Sequence, residues 1–173
     1  MNAATTDTPA PLLPPALLAM MDKGVSVIVS ACSLDMRPSI MRAVGSAIAP
    51  GGHSITVYLS RRQSRQLIQD IASTGRIAVV FSEPSSHRTV QVKAAAARIR
   101  CAEASDEPAL ERYVASMEKE IERVGYEPVF TRAMLARRLE DLVAISFEPA
   151  QAFDQTPGPK AGAPLPNGPA SPP

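Results

Sequence analysis

A mostly β domain with helices packed at its margins is the fold class this sequence predicts, and three observations predict it. Short runs rich in β-branched residues, alternating apolar and polar, recur through the first hundred positions. The turn-forming clusters between them, at Asp35 to Pro38, Pro50 to His53 and Glu83 to His87, have spacings suited to antiparallel hairpins rather than helical crossovers. Apolar residues recur at helical spacing in only a few stretches, and no internal repeat or heptad pattern is visible.

Taken in order, Val25 to Cys32 alternates well enough to be a strand with one buried face, and a second strand spans about Ser39 to Ala49. Ile55 to Leu59, Ile77 to Phe81, Val90 to Ile99 and Leu142 to Phe147 supply four more, making six. One helix is predicted from Arg61 to Thr74, with Leu67, Ile68, Ile71 and Ala72 on one face and Gly75 as its stop. A second starts at Ser105 or Asp106 and aligns Leu110, Tyr113, Val114, Met117, Ile121 and Val124 as a core stripe before Gly125. Thr131 caps a short third helix holding Met134, Leu135 and Leu139.

With 173 residues, 45% of them apolar, the chain has material for one well-buried core. Prolines crowd both ends, four between Pro9 and Pro15 and seven between Pro157 and Pro173. Residues 1–16 and 156–173 are therefore expected as disordered tails around a single domain at 17–155. A formal net charge of +1 gives no bulk electrostatic reason to expect nucleic acid or an anionic membrane as partner. Cys32, Cys101, His53 and His87 stand apart without metal-ligand spacing, so no metal site is indicated. Two unpaired thiols fit a reducing cytoplasm, and no apolar run is long enough for a membrane span.

The densest chemistry lies where the third strand ends. Ser60 and Gln63 have the spacing of a capping box, which makes Arg61 and Arg62 the first helical residues. Cations there oppose the positive end of the helix dipole unless an anion sits close enough to reverse the sign. Backbone N–H groups, dipole and two guanidinium forks would then converge on a phosphate; the alternative is two solvated arginines. Tyr58 is expected as half core and half cofactor wall. Gln91 either faces solvent or needs a buried partner, and Arg88 is either an exposed turn residue or an anion contact.

Read in sequence, Arg37-Pro-Ser-Ile-Met-Arg42, the strand ending Tyr58-Leu-Ser-Arg-Arg62, a helix, Ile77 to Phe81 and His87-Arg-Thr-Val-Gln-Val-Lys93 resemble the FMN-binding split-barrel family typified by pyridoxamine 5′-phosphate oxidases. The resemblance covers roughly residues 17 to 155. It implies a six-stranded antiparallel Greek-key split barrel, a homodimer, and FMN at the subunit interface. It implies flavin-lining roles for Arg37, Ser39, Ile40, Met41 and Arg42, phosphate contacts from Ser60, Arg61 and Arg62, and a ring-edge hydrogen bond from Gln91. Arg88 would contact the flavin or a substrate anion across the dimer. The arginine and histidine pair by which such oxidases hold vitamin B6 has no counterpart after Phe153. The run Ala94 to Ala97 also replaces a glycine of the family pattern, and could form a close-packed dimer surface.

The expected activity is two-electron transfer between bound FMN and a small organic substrate, since no Ser-His-Asp set or general-base carboxylate can be named and a flavin supplies such chemistry itself. A non-catalytic flavin- or haem-binding dimer used for storage or sensing is the alternative, and a deazaflavin could replace FMN on the same fold.

Overall fold

The computed structural model describes residues 12–165. Within them, nine strands form two antiparallel sheets around one shared core. In chain order the elements are α1 (Pro15–Asp22), β1 (Ser26–Cys32), β2 (Pro38–Arg42), β3 (Gly45–Ile48), β4 (Ile55–Ser60), α2 (Arg65–Thr74), β5 (Ile77–Ser82), β6 (Thr89–Ala94), β7 (Arg98–Cys101), α3 (Glu107–Arg123), α4 (Pro128–Met134), β8 (Leu142–Phe147) and β9 (Gln151–Asp154). The first sheet runs β2-β1-β5-β6-β9 and the second β3-β4-β8-β7.

The mostly antiparallel architecture with flanking helices is as expected, but the count of six strands is not. Two strands read as continuous are each broken. The run 39–49 changes sheets at one peptide, where Ala43 N–H donates to Val27 and Val44 N–H donates to Tyr58 on the opposite sheet. The run 90–99 breaks at 95–97, and Gln151–Asp154 adds a ninth strand. Alternation continues through such a corner, so periodicity alone does not reveal it.

Burial follows the pleat. Val27 and Val29 of β1, Val79 and Phe81 of β5, and Val90 and Val92 of β6 point inward against Ile55, Val57 and Leu59 of β4 and Val143, Ile145 and Phe147 of β8. At about 25 cal/mol per Å² of apolar surface, this shared layer is the main favourable contribution to folding.

α2 starts at Arg65, four residues later than predicted, with Ser64 as its N-cap. It stops at Gly75, which adopts φ +68° and donates its N–H to the Ile71 carbonyl. The Ala94 to Ala97 run meets this turn: Ala97 N–H donates to the Gly75 carbonyl, and a Cβ on Gly75 would stand 2.7 Å from the Ala95 carbonyl oxygen. Gly75→Ala should therefore cost about 1–3 kcal/mol of stability, readable as a lower urea midpoint at unchanged slope. A cost below a few tenths would mean that the turn relaxes freely.

α3 buries Leu110, Tyr113 and Met117 of the predicted stripe, while Val124 is exposed. It also buries Glu120, whose carboxylate accepts from Lys23, Ser85 and Arg123 and so ties the α1–β1 turn, the β5–β6 turn and α3 together. Burial opposes the charge on Glu120, but those donors hold its carboxyl below the ordinary range. α4 starts at Pro128, whose ring presets φ for a first helical position, so Thr131 lies inside the helix and does not cap it.

Packing extends beyond the expected domain limits of Leu17 and Gln155. Leu13 is buried and α1 begins at Pro15. After β9 the chain folds back along the free edge of that strand, with Asp154 N–H donating to Ala163 and Leu165 N–H to Ala152. The remainder of both expected tails, 1–11 and 166–173, lies outside the described residues.

Candidate functional site

The outward face of the first sheet is assembled in rows by strand register. One row reads Arg42, Ile28, Val80, Gln91, Phe153, and the next Ile40, Ser30, Ala78, Lys93, Gln151. Because alternate residues share a face, Ile40 and Arg42 of the 37–42 segment join Gln91 on this surface, whereas Ser39 and Met41 point inward. The Ser39 hydroxyl donates to the Asp70 carboxylate of α2 at 2.6 Å, and Met41 packs on the core. Arg37 precedes β2 in the exposed β1–β2 turn.

This face is amphipathic. Ile40 is 67% exposed and Phe153 half-buried, with the Lys93 ammonium 4.6 Å from the Phe153 ring centre. Arg42 donates to Ser26 at 2.8 Å, and the Gln155 amide lies 3.5 Å from the Gln91 carbonyl. A cleft of about 500 Å³ opens at one end of the face, lined by Ser30, Cys32, Ala78, Lys93 and Gln151 together with Arg76 and a rim of alanines.

The second group of candidates lies past the end of β4, and its geometry differs from the expected capping box. The Ser60 hydroxyl donates to the Asp141 carboxylate at 2.6 Å, and the same carboxylate accepts the Arg62 N–H at 3.2 Å. The Arg61 N–H donates to the Asp141 carbonyl at 2.7 Å. Asp141 thus already fills the position proposed for an anion at residues 60–62. The two guanidinium groups also diverge. Arg61 reaches the Cys101 sulfur on β7 at 3.2 Å, whereas Arg62 lines a cleft of about 620 Å³.

That cleft collects Arg62 and Arg65 with Arg137 and Arg138 from the α4–β8 connection, beside Ser60, Gln63 and Asp141. Arg137 pairs with Glu107 at 3.6 Å and Arg138 with Glu140 at 2.6 Å. Among the described residues, the guanidinium groups of Arg62 and Arg65 have no carboxylate within ion-pair distance. The start of α2 opens between them. Ser64 is 1% exposed, caps no backbone N–H, and leaves its hydroxyl without a partner among the described residues. A buried unpartnered hydroxyl beside uncapped first-turn amides and two free guanidinium groups has the donor chemistry that a phosphate requires.

The two groups are linked through β2. Met36 contacts Arg76 and Ser39 contacts Asp70, so α2 runs antiparallel to β2. At about 1.5 Å per helical residue and 3.3 Å per strand residue, the first turn of α2 then lies about level with Met41, at the Arg42 end of β2. Among the described residues β2 is also an edge strand with one unpaired side.

Tyr58 is not a cofactor wall. It is 2% exposed, packs with Val44, Leu110, Leu142 and Ala144, and donates its hydroxyl to Asp106 at 2.8 Å. Burial and that hydrogen bond push the phenol well above its ordinary range. Asp106 in turn accepts two Arg100 N–H groups at 2.7 Å and the Glu103 backbone N–H at 2.8 Å, and the Arg100 fork holds its carboxyl down at about 2 against the opposing effect of burial. Arg88 is half-buried in the β5–β6 turn, where its carbonyl accepts from the Glu83 N–H.

Sequence reasoning missed Ser64, Arg65, Arg137 and Arg138. The available signal was the Arg62 and Arg65 spacing followed by an uninterrupted apolar helical face from Leu67, which fits a helix starting at Arg65 as well as one starting at Arg61.

No family model and no curated protein matches the sequence. Solved structures do match in fold. An F420 reductase aligns with a TM-score of 0.56 at 16% identity, covering 81% of this chain and 98% of the other. HupZ of Group A Streptococcus aligns at 0.53 and 13%, covering 87% and 99%. A putative pyridoxamine 5′-phosphate oxidase from Lactobacillus delbrueckii aligns at 0.50 and 11%, covering 86% and 97%. At these identities the likeness is one of fold.

Proposed function

We propose that this chain, which has the fold of pyridoxamine 5′-phosphate oxidase-like proteins, binds FMN or a related flavin and transfers two electrons between it and a small organic substrate. One observation carries the reading: the unpartnered Ser64 hydroxyl at the start of α2, flanked by Arg62 and Arg65, lies at the Arg42 end of the edge strand that also presents Ile40. Ser64, Arg62 and Arg65 would hold the phosphate. The outward row from Arg42 to Gln91 would meet the ring, with Gln91 offering its amide to a ring edge and Arg42 a positive field. When bound, the isoalloxazine supplies the hydride chemistry, and the protein's part is orientation, exclusion of water and electrostatics.

The resemblance also supports a homodimer with the cofactor at the subunit interface. Leu34, Met36 and Ile40 are 78%, 65% and 67% exposed on and beside β2, which is the apolar surface a second copy would cover. The F420 reductase among the fold relatives keeps a deazaflavin open as the flavin used. A split-barrel description of the two sheets and a cytoplasmic setting belong to the same reading.

The test is an absorbance spectrum of the purified protein from 300 to 600 nm, with chromatographic identification of any released chromophore. Protein free of chromophore is then titrated with FMN while its melting temperature is followed. We expect paired flavin bands or an FMN-dependent rise in melting temperature, since a ligand of the native state stabilises it by mass action. A colourless protein that ignores both FMN and a deazaflavin would remove this reading, and a Soret band would replace it with haem binding.

A further inference from the structure

The cleft at the end of the outward face holds two cations and no carboxylate. Arg76 and Lys93 are its only charged lining residues; Ser30, Cys32 and Gln151 are the other polar ones, and most of the remainder is alanine. Strand register brings the two cations together. Lys93 of β6 faces Ala78 of β5, and Arg76 stands two residues before Ala78 and lines the same cleft. A diagonal pair of this kind is separated by about 7–8 Å at the backbone, which both long side chains can bridge.

Among the described residues neither cation has a carboxylate within ion-pair distance. Arg76 places a terminal nitrogen 3.8 Å from the Met36 sulfur, and Lys93 places its ammonium 4.6 Å from the Phe153 ring centre. A thioether and an aromatic face are weak substitutes for a counter-charge, so the two cations repel one another until an anion sits between them. The floor beside them is open because Ala78 stands between Ser30 and Lys93 in the register, where a branched side chain would fill it. At about 500 Å³ the cleft has the size of a small-molecule site.

From the paired cations, the missing counter-charge and the alanine floor we propose that this cleft binds a small organic carboxylate with an apolar body, its oxygens between Arg76 and Lys93 and its body over Ala78. Lys93 adjoins Phe153 of the row that carries Gln91, so the bound anion lies beside the place assigned to the flavin ring. Its role as the substrate of electron transfer rests on the flavin reading; the anion site itself does not.

The full chain as purified is titrated calorimetrically with benzoate, cinnamate and hexanoate, each beside its neutral amide. Alkylation of Cys32 by iodoacetamide is followed by mass spectrometry, with Cys101 on β7, outside the cleft lining, as the control thiol. At least one acid should bind about tenfold or more tightly than its amide. At about ten times its Kd that acid should slow Cys32 roughly tenfold and leave Cys101 unchanged, because bound ligand covers one thiol only. Arg76→Gln with Lys93→Gln should bring the acid down to the level of its amide, and Ala78→Leu should abolish binding of the acid. No acid bound, acid and amide bound alike, or a bound acid that leaves Cys32 as reactive as before would overturn the site. These comparisons on the unaltered chain decide the matter even if a variant fails to fold. Neither readout uses flavin, so failure here leaves the FMN proposal standing, and failure of FMN binding removes the substrate role while leaving the anion site standing.

Discussion

Replacing Asp106 by Ala should destabilise the protein by about 3 kcal/mol, because one carboxylate serves three elements and its loss strands the buried Tyr58 hydroxyl. Asp106 is 6% exposed and accepts from Tyr58 on β4, from both terminal nitrogens of Arg100 on β7, and from the Glu103 N–H just before α3. Without it the Tyr58 hydroxyl, in a ring 2% exposed, has no acceptor, whereas the Arg100 side chain is 45% exposed and finds water. Tyr58→Phe removes only a donor and should cost about 1 kcal/mol. The charge carries a pH signature. The Asp106 carboxyl titrates at about 2 in the fold against an ordinary 3.8, so its contribution is fully present above about pH 4 and is lost as pH falls through 2. That contribution is about 2 kcal/mol, taken as an upper value because Arg100 is half-exposed. Urea unfolding of Asp106→Asn and the parent at pH 7 and pH 2.5 should therefore show a gap that narrows in acid. A gap that is unchanged or wider at low pH would mean that the carboxylate is not held by Arg100 as described.

Reversing the charges of Arg62 and Arg65, as Arg62→Glu with Arg65→Glu, should weaken FMN binding at least about thirtyfold, equivalent to about 2 kcal/mol. Riboflavin has no phosphate, so its affinity should change by less than about threefold, because the ring-contacting row is untouched. The comparison separates a phosphate site from general damage. Stability moves the opposite way from binding: a glutamate in the first turn of α2 complements the helix dipole by about 0.3–1 kcal/mol. Isothermal titration with both ligands, with thermal melts of the free proteins, gives all of these quantities. Equal losses for FMN and riboflavin, or none for either, would remove Arg62 and Arg65 from the phosphate site.

Much of the fold was legible. The positions 26–32, 55–60, 77–82 and 142–147 are strands because alternation of β-branched residues there has one solution that buries a face. Gly75 was legible as a helix stop because it is the residue that takes the left-handed conformation cheaply. The start of α2 was not, since Ser60 with Gln63 and Ser64 alone are both plausible caps locally. The choice was made by Asp141, 81 positions away, which takes the Ser60 hydroxyl and the Arg62 N–H. Arg61 and Arg62 are neighbours in sequence, yet one goes to Cys101 and the other to the arginine cleft.

By itself the sequence determined the antiparallel β class and the positions of most strands, because a period of two needs only local chemistry. Tertiary structure alone decided that the 39–49 run turns from one sheet to the other at Ala43 and Val44, since both halves of that corner satisfy the same alternation. It alone decided that Tyr58 belongs to Asp106 and the core, and that Ser64 with Arg65 opens the anion cleft. Those outcomes depend on which distant donor or acceptor reaches a group first, and that competition is settled when the two sheets close on one another.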